Sequence, residues 1–198
     1  MKDFKHYWNR SYTWEDYKDL IHNLLEQNKT TGPNQDEQYV AFTRLNLQRM
    51  KRVEKTLKLD EDLKKLLESK KFNSIRILVI SEGWCGDAAQ SVPVISDIAQ
   101  AYPDKLDLKI FLRDEDTDLI DQFLTNGGRS IPQFIFLDHD FNLLGNWGPR
   151  PVEAQKLFNE LKADGKDHAQ IVEQIQLWYA RDKSESLQRE VLEKLQNF

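Results

Sequence analysis

Ser81-Glu82-Gly83-Trp84-Cys85-Gly86-Asp87-Ala88-Ala89-Gln90-Ser91-Val92-Pro93 decides how this chain is read, because an apolar run enters the stretch and an amphipathic one leaves it. Upstream, Ile75 to Ile80 is almost continuously β-branched and apolar, the pattern of a strand covered on both faces. Downstream, Val92, Ile95, Ile98 and Ala99 recur at helical spacing; Pro93 inside that helix predicts a kink, and Pro103-Asp104 ends it. The chain's only cysteine, Cys85, therefore falls where a strand gives way to a helix N-terminus. Unpaired backbone N–H groups there favour thiolate over thiol, so the position predicts a Cys85 pKa below that of a free thiol.

Working outward from the motif, Leu106 to Leu112 sets Leu106, Leu108, Ile110 and Leu112 against Asp107, Lys109 and Phe111, a second strand. A short acidic helix over Glu115 to Leu124 buries Leu119, Ile120, Phe123 and Leu124, with Asn126-Gly127-Gly128 as its C-cap. Gln133 to Leu137 and Leu143 to Trp147 read as a third and a fourth strand joined by the turn Asp138 to Asn142. Beyond Gly148-Pro149-Arg150-Pro151 comes a helix carrying Ala154, Leu157, Phe158 and Leu161. From Asp167 to Gln196 the spacing predicts one long helix with Ile171, Ile175, Trp178, Tyr179, Leu187, Val191 and Leu195 as its apolar set.

Toward the N-terminus, Trp14, Tyr17, Leu20, Ile21, Leu24 and Leu25 predict a helix capped by Thr13. A second helix runs from about Asp36 to Leu57, and a short one follows Asp60 with Leu63, Leu66 and Leu67, ending in Ser69-Lys70-Lys71. Arg44, Arg49, Lys51, Arg52 and Lys55 lie close together on the second helix, which fits a solvated face or an anionic partner.

The bulk properties narrow the function classes. At 198 residues, 39% apolar and 31% charged, the chain suits one domain with elaborations. A net charge of -5 and the absence of a basic stripe argue against nucleic-acid binding. No apolar run approaches the ~20 residues of a transmembrane helix. Met1 to Trp8 lacks the apolar core of a secretion signal, so the expected location is the cytoplasm, without a membrane partner. The four histidines show no ligand spacing among themselves or with Cys85, so no metal is expected, and no glycine-rich phosphate loop calls for a cofactor.

Trp84-Cys85-Gly86-Asp87-Ala88 resembles the Trp-Cys-Gly-Pro-Cys active site of the thioredoxin superfamily, with Asp87 in place of the proline and Ala88 in place of the second cysteine. Pro93 matches the proline that kinks the motif helix in thioredoxins, Ile131-Pro132 the cis-proline pair that faces the active-site sulfur, and Gly148 the glycine after the last strand. The wider segments Asn126 to Pro132 and Trp147 to Pro151 look like a bacterial branch of thioredoxin-like proteins with added helices. The resemblance implies an α/β thioredoxin-like fold, a βαβ-α-ββα core with a central mixed sheet flanked by helices. Its expected layout is an N-terminal helical extension over residues 1–59, the thioredoxin-like domain over 60–165, and a C-terminal helix over 166–198 that packs on the domain or on a second copy of the chain.

In thioredoxins the first cysteine attacks a disulfide and the second resolves the mixed disulfide, so Ala88 removes the internal release step. The aspartate that thioredoxins carry six residues before the first cysteine is replaced by Val79. Three readings of Cys85 stand beside one another. The first is a monothiol oxidoreductase, its mixed disulfide with a protein or a low-molecular-weight thiol resolved from outside. The second is a redox-inactive module that holds a protein or peptide in the cis-proline groove, and the third is a structural cysteine. On the first two, Cys85 is the catalytic candidate, while Trp84, Gly86, Asp87, Ile131 and Pro132 form the binding surface, with Pro132 presenting the Ile131 backbone as a strand edge. Trp84 then shields the sulfur or merely packs, and Trp147 and Arg150 line the groove or support it. Asp87 either caps the helix or, together with Glu82, repels the thiolate.

Overall fold

In the computed structural model, which describes residues 3–69 and 74–198, the apolar run Ile75–Ser81 is strand β1 of a four-stranded sheet. β1 pairs in parallel with β2 (Leu106–Leu112), from Ile75 opposite Leu106 to Ser81 opposite Leu112. A parallel neighbour requires a crossover, and α5 (Ala88–Ala101) supplies it. On its other side β1 pairs antiparallel with β3 (Gln133–Leu137), which pairs in turn with β4 (Leu143–Trp147) across the Asp138 turn. The sheet order is β2-β1-β3-β4, so the motif leaves from an interior strand.

Helices cover the sheet and its edges. Within α1 (Phe4–Arg10), Tyr7 meets Phe111 edge-on with ring centroids 5.2 Å apart. Phe111 is therefore buried, although strand alternation groups it with Asp107 and Lys109. Tyr12 then extends the outer edge of β2 by two backbone hydrogen bonds to Ile110, both 2.8 Å. The Thr13 side chain caps α2 (Trp14–Glu26) by accepting from the Asp16 N–H. The side of α5 away from the strands is covered by α3 (Glu37–Thr56). α4 (Glu61–Ser69) starts at Asp60, whose carboxylate accepts the Leu63 N–H at 3.0 Å. The expected end of this helix at Ser69-Lys70-Lys71 runs into residues 70–73, which lie outside the described residues, as do Met1 and Lys2. No helix among the described residues is long and apolar enough to cross a membrane.

Two stretches depart from the sequence expectation. The acidic helix shrinks to α6 (Thr117–Ile120), capped by Asp116, and leaves Leu124 exposed. Asn126 and Gly127, at φ 51° and 78°, form the tip of a tight turn closed by paired hydrogen bonds between Thr125 and Gly128, so they are no helix cap. After α7 (Val152–Ala163), the predicted long C-terminal helix is two, α8 (His168–Asp182) and α9 (Glu185–Gln196). Lys183 and Ser184 both adopt left-handed backbone, at φ 52° and 68°, and redirect the chain. The break sends the two apolar sets to different places. Leu187, Val191 and Leu195 join the main core, where α9 packs on α4, while Ile171, Ile175 and Tyr179 form a separate cluster with Leu157, Phe158 and Leu161 of α7.

Candidate functional site

The loop between β1 and α5 is pinned from behind by buried polar groups. The Gly83 N–H donates to Thr31 Oγ1 at 2.8 Å, and the Gly83 carbonyl accepts from Asn46 of α3 at 3.0 Å. The Ser81 and Tyr17 hydroxyls meet at 3.3 Å. Glu82 is fully buried, its Oε1 accepting the Asp114 N–H at 2.9 Å, and burial pushes its carboxyl up to about 7.

Cys85 sits at the end of this loop, 7% exposed. Its S–H donates to the Ile131 carbonyl at 3.2 Å, and the Ala88 N–H at the start of α5 points at the sulfur from 3.5 Å. The Ile131–Pro132 peptide is cis. Burial pushes the Cys85 thiol up to about 12, and the Asp87 carboxylate adds to the rise. The N–H groups of Ala88 and Asp87 and the Arg150 charge act the other way without overcoming it. This overturns the expectation of a lowered pKa. A helix terminus contributes ~0.3–1 kcal/mol to an anion, less than one pKa unit, and loss of water outweighs it.

Asp87 does not cap α5 with its side chain. The carboxylate turns instead to Arg150, whose Nη2 lies 2.7 Å away, and to Tyr179 of α8, whose hydroxyl donates at 3.0 Å. Burial pushes the Asp87 carboxyl up while these two partners and Arg49 pull it down. The Arg150 guanidinium stacks 4.2 Å from the Phe158 ring centroid and donates to Gln155 at 3.1 Å. Gly148 holds this corner together. With φ +137°, its Cα passes so near the 131–132 turn that an added Cβ would stand 2.2 Å from the Pro132 carbonyl oxygen.

Gln176 of α8 reaches over the motif, donating to the Gly86 carbonyl at 3.3 Å and accepting from Gln90 at 2.7 Å. α3, the motif loop, α7 and α8 thereby enclose a cleft of about 490 Å³. Of the residues singled out by sequence, Trp84, Cys85, Gly86, Asp87 and Ile131 line it, and Pro132 is buried next to Ile131. Trp84 forms a wall between Tyr39, edge-on at 5.2 Å, and the Arg113 guanidinium at 4.8 Å. Arg150 enters the cleft, whereas Trp147 packs on Phe134 and donates to Glu190 at 2.6 Å. Sequence reasoning gave no role at the site to Asn46, Gln176 or Tyr179. Tyr179 falls in an apolar stripe, and nothing in that stripe marks its hydroxyl as the partner of Asp87.

The family model described as Thioredoxin matches residues 32–162. Among solved structures the chain is similar to a protein of unknown function from Pseudomonas aeruginosa, at 21% identity and a TM-score of 0.59 over 93% of this chain and 97% of that one. It is also similar to an HIV epitope scaffold, at 20% identity and a TM-score of 0.59 over 89% of this chain and 98% of that one. At such identities the likeness is one of fold. No curated protein matches the chain.

Proposed function

Because the chain belongs to the thioredoxin family, we propose that it is a thioredoxin-fold binding module in which Cys85 is held as a protonated thiol at the floor of the cleft. The observation that carries this reading is the state of the thiol: only 7% exposed, donating to Ile131, and pushed up to about 12 by burial. Thiol–disulfide exchange proceeds through the thiolate. Relative to a free cysteine near 8.5, such a thiol has its thiolate fraction at neutral pH cut by about 3.5 powers of ten. The greater nucleophilicity of a more basic thiolate returns about 1.5 of these, leaving exchange about 100-fold slower before any steric cost. Ala88 provides no second sulfur to release a trapped partner.

One observation favours the second reading, a monothiol oxidoreductase resolved by an external thiol: the sulfur borders the cleft, beside the cis peptide, where a bound disulfide would lie. Incubation of the folded protein with oxidised glutathione near neutral pH, followed by intact mass spectrometry, separates the two. The binding-module reading expects no adduct on the native protein and one on the protein unfolded in urea. Rapid addition of one glutathione to native Cys85 supports the oxidoreductase instead.

A further inference from the structure

We propose that the cleft beside Cys85 binds a small organic anion, a carboxylate or phosphate carried on an aromatic or apolar body. The proposal rests on the binding-module reading and names its occupant. In a chain of net charge -5, four arginines, Arg49, Arg113, Arg129 and Arg150, line this one cleft, against Asp87 as its single carboxylate. Asp87 is already engaged by Arg150 and Tyr179. Arg113 and Arg129 are each held by a carboxylate outside the cleft, Asp114 and Asp121.

Arg49 has no such partner. Among the described residues it forms no ion pair and donates to a neutral acceptor, Asn46 Oδ1, at 2.8 Å. Its Nη1 reaches the motif, 3.5 Å from where a Cβ on Gly86 would stand. It is half-buried; burial and neighbouring Arg52 disfavour its charge, the Asp87 carboxylate offsets part of this, and an incoming anion offsets more. Arg150, which also lines the cleft, has its Nε buried without a hydrogen-bond partner among the described residues. Two guanidiniums lining one cleft, Arg49 with no ion pair among the described residues and Arg150 with its Nε unbonded, suit an oxyanion, since arginine pairs with carboxylate and phosphate by charge-assisted bonds. Tyr39, Phe42 and Phe158 supply apolar surface for the rest of the ligand.

The size fits a small molecule. The cleft continues between α3 and α8 into a groove of about 560 Å³ that shares Phe42, Arg49 and Gln176, and ligand pockets span about 300–1,000 Å³.

Calorimetric titration of the full chain with phenyl phosphate and with benzoate tests this, with benzyl alcohol and benzylamine as neutral and cationic controls. At least one anion is expected to bind more tightly than both controls, and the stronger anion identifies the head group. Arg49→Gln weakens that binding about tenfold, the order of one charge-assisted bond, while Arg49→Lys retains part of it and Lys55→Gln on the exposed side of α3 leaves it unchanged. The proposal is overturned if no anion binds, if benzyl alcohol binds as tightly, or if folded Arg49→Gln binds like the parent. Tight binding of the neutral probe alone removes the anion assignment and leaves the binding module standing, whereas a glutathione adduct on native Cys85 removes the binding module itself.

Discussion

Replacing Arg150 with glutamine strands a carboxylate. Arg150 Nη2 and Asp87 Oδ2 are 2.7 Å apart, with side chains only 15% and 11% exposed, so water does not replace the lost charge. Removing one partner of a buried pair costs about 3–5 kcal/mol. The Tyr179 hydroxyl still donates to Asp87 and keeps the loss toward the lower figure, about 3 kcal/mol. The sign of the pH dependence follows from the same carboxyl. Burial already raises Asp87 above its usual 3.8, and without Arg150 it rises further. The native state then holds a proton that the unfolded chain releases from about pH 4 upward, so the deficit is small in acid and grows toward neutrality. Urea unfolding of the parent, Arg150→Gln, Asp87→Asn and the double variant, at about pH 4.5 and about pH 8, measures all of this. Asp87→Asn is expected to recover at least half of the Arg150→Gln loss at the higher pH. Equal deficits at both pH values, or no recovery in the double variant, would refute the reasoning.

Three further predictions concern Glu82, Gly148 and Gly127. Glu82, at about 7 against 4.5 unfolded, is expected to withdraw stability as pH rises from 4.5 to 7, by of order 3 kcal/mol in all. Glu82→Gln keeps an acceptor for the Asp114 N–H and removes this dependence, so its stability relative to the parent should rise between about pH 4 and about pH 8 in denaturant titrations, and a flat difference contradicts the account. Gly148→Ala meets both a glycine-only backbone angle and a Cβ 2.2 Å from the Pro132 oxygen, and is expected to lose at least about 3 kcal/mol. Gly127→Ala, at φ +78° with open space around it, should cost only about 1 kcal/mol, both glycine variants being compared with the parent by urea unfolding.

The parts of this fold that were legible in the sequence are those written in local pattern. Ile75 to Ile80, Leu106 to Leu112, Gln133 to Leu137 and Leu143 to Trp147 are all strands, because buried β-branched runs punctuated by turn residues leave little else. The break between α8 and α9 was hidden because neither glycine nor proline marks it. Lys183 and Ser184 carry the left-handed turn, and the Asp182 carboxylate secures the new helix by accepting the Ser186 N–H at 3.2 Å. Phe111 was misgrouped because α1, which covers it, lies a hundred residues away in sequence. At the site, the thioredoxin resemblance put Cys85, Trp84 and Ile131 together and set Arg150 on the same groove, but it gave no sign of the other partner of Asp87, Tyr179, which stands 92 residues on. The thiol's pKa was misjudged for a related reason. Helix position is local and visible in sequence, while the burial that decides the outcome comes from segments distant in sequence, Ile131 among them.

The most direct measurement is therefore the rate of iodoacetamide alkylation of native Cys85 as a function of pH, compared with the same chain in urea. The account predicts native modification about 100-fold slower than unfolded near neutrality, rising without a plateau to the alkaline limit of the folded state, as for a thiol titrating at about 12. A native rate that levels off at or below about pH 8.5 would mean an exposed and ready thiolate, and the binding-module reading would give way to monothiol chemistry.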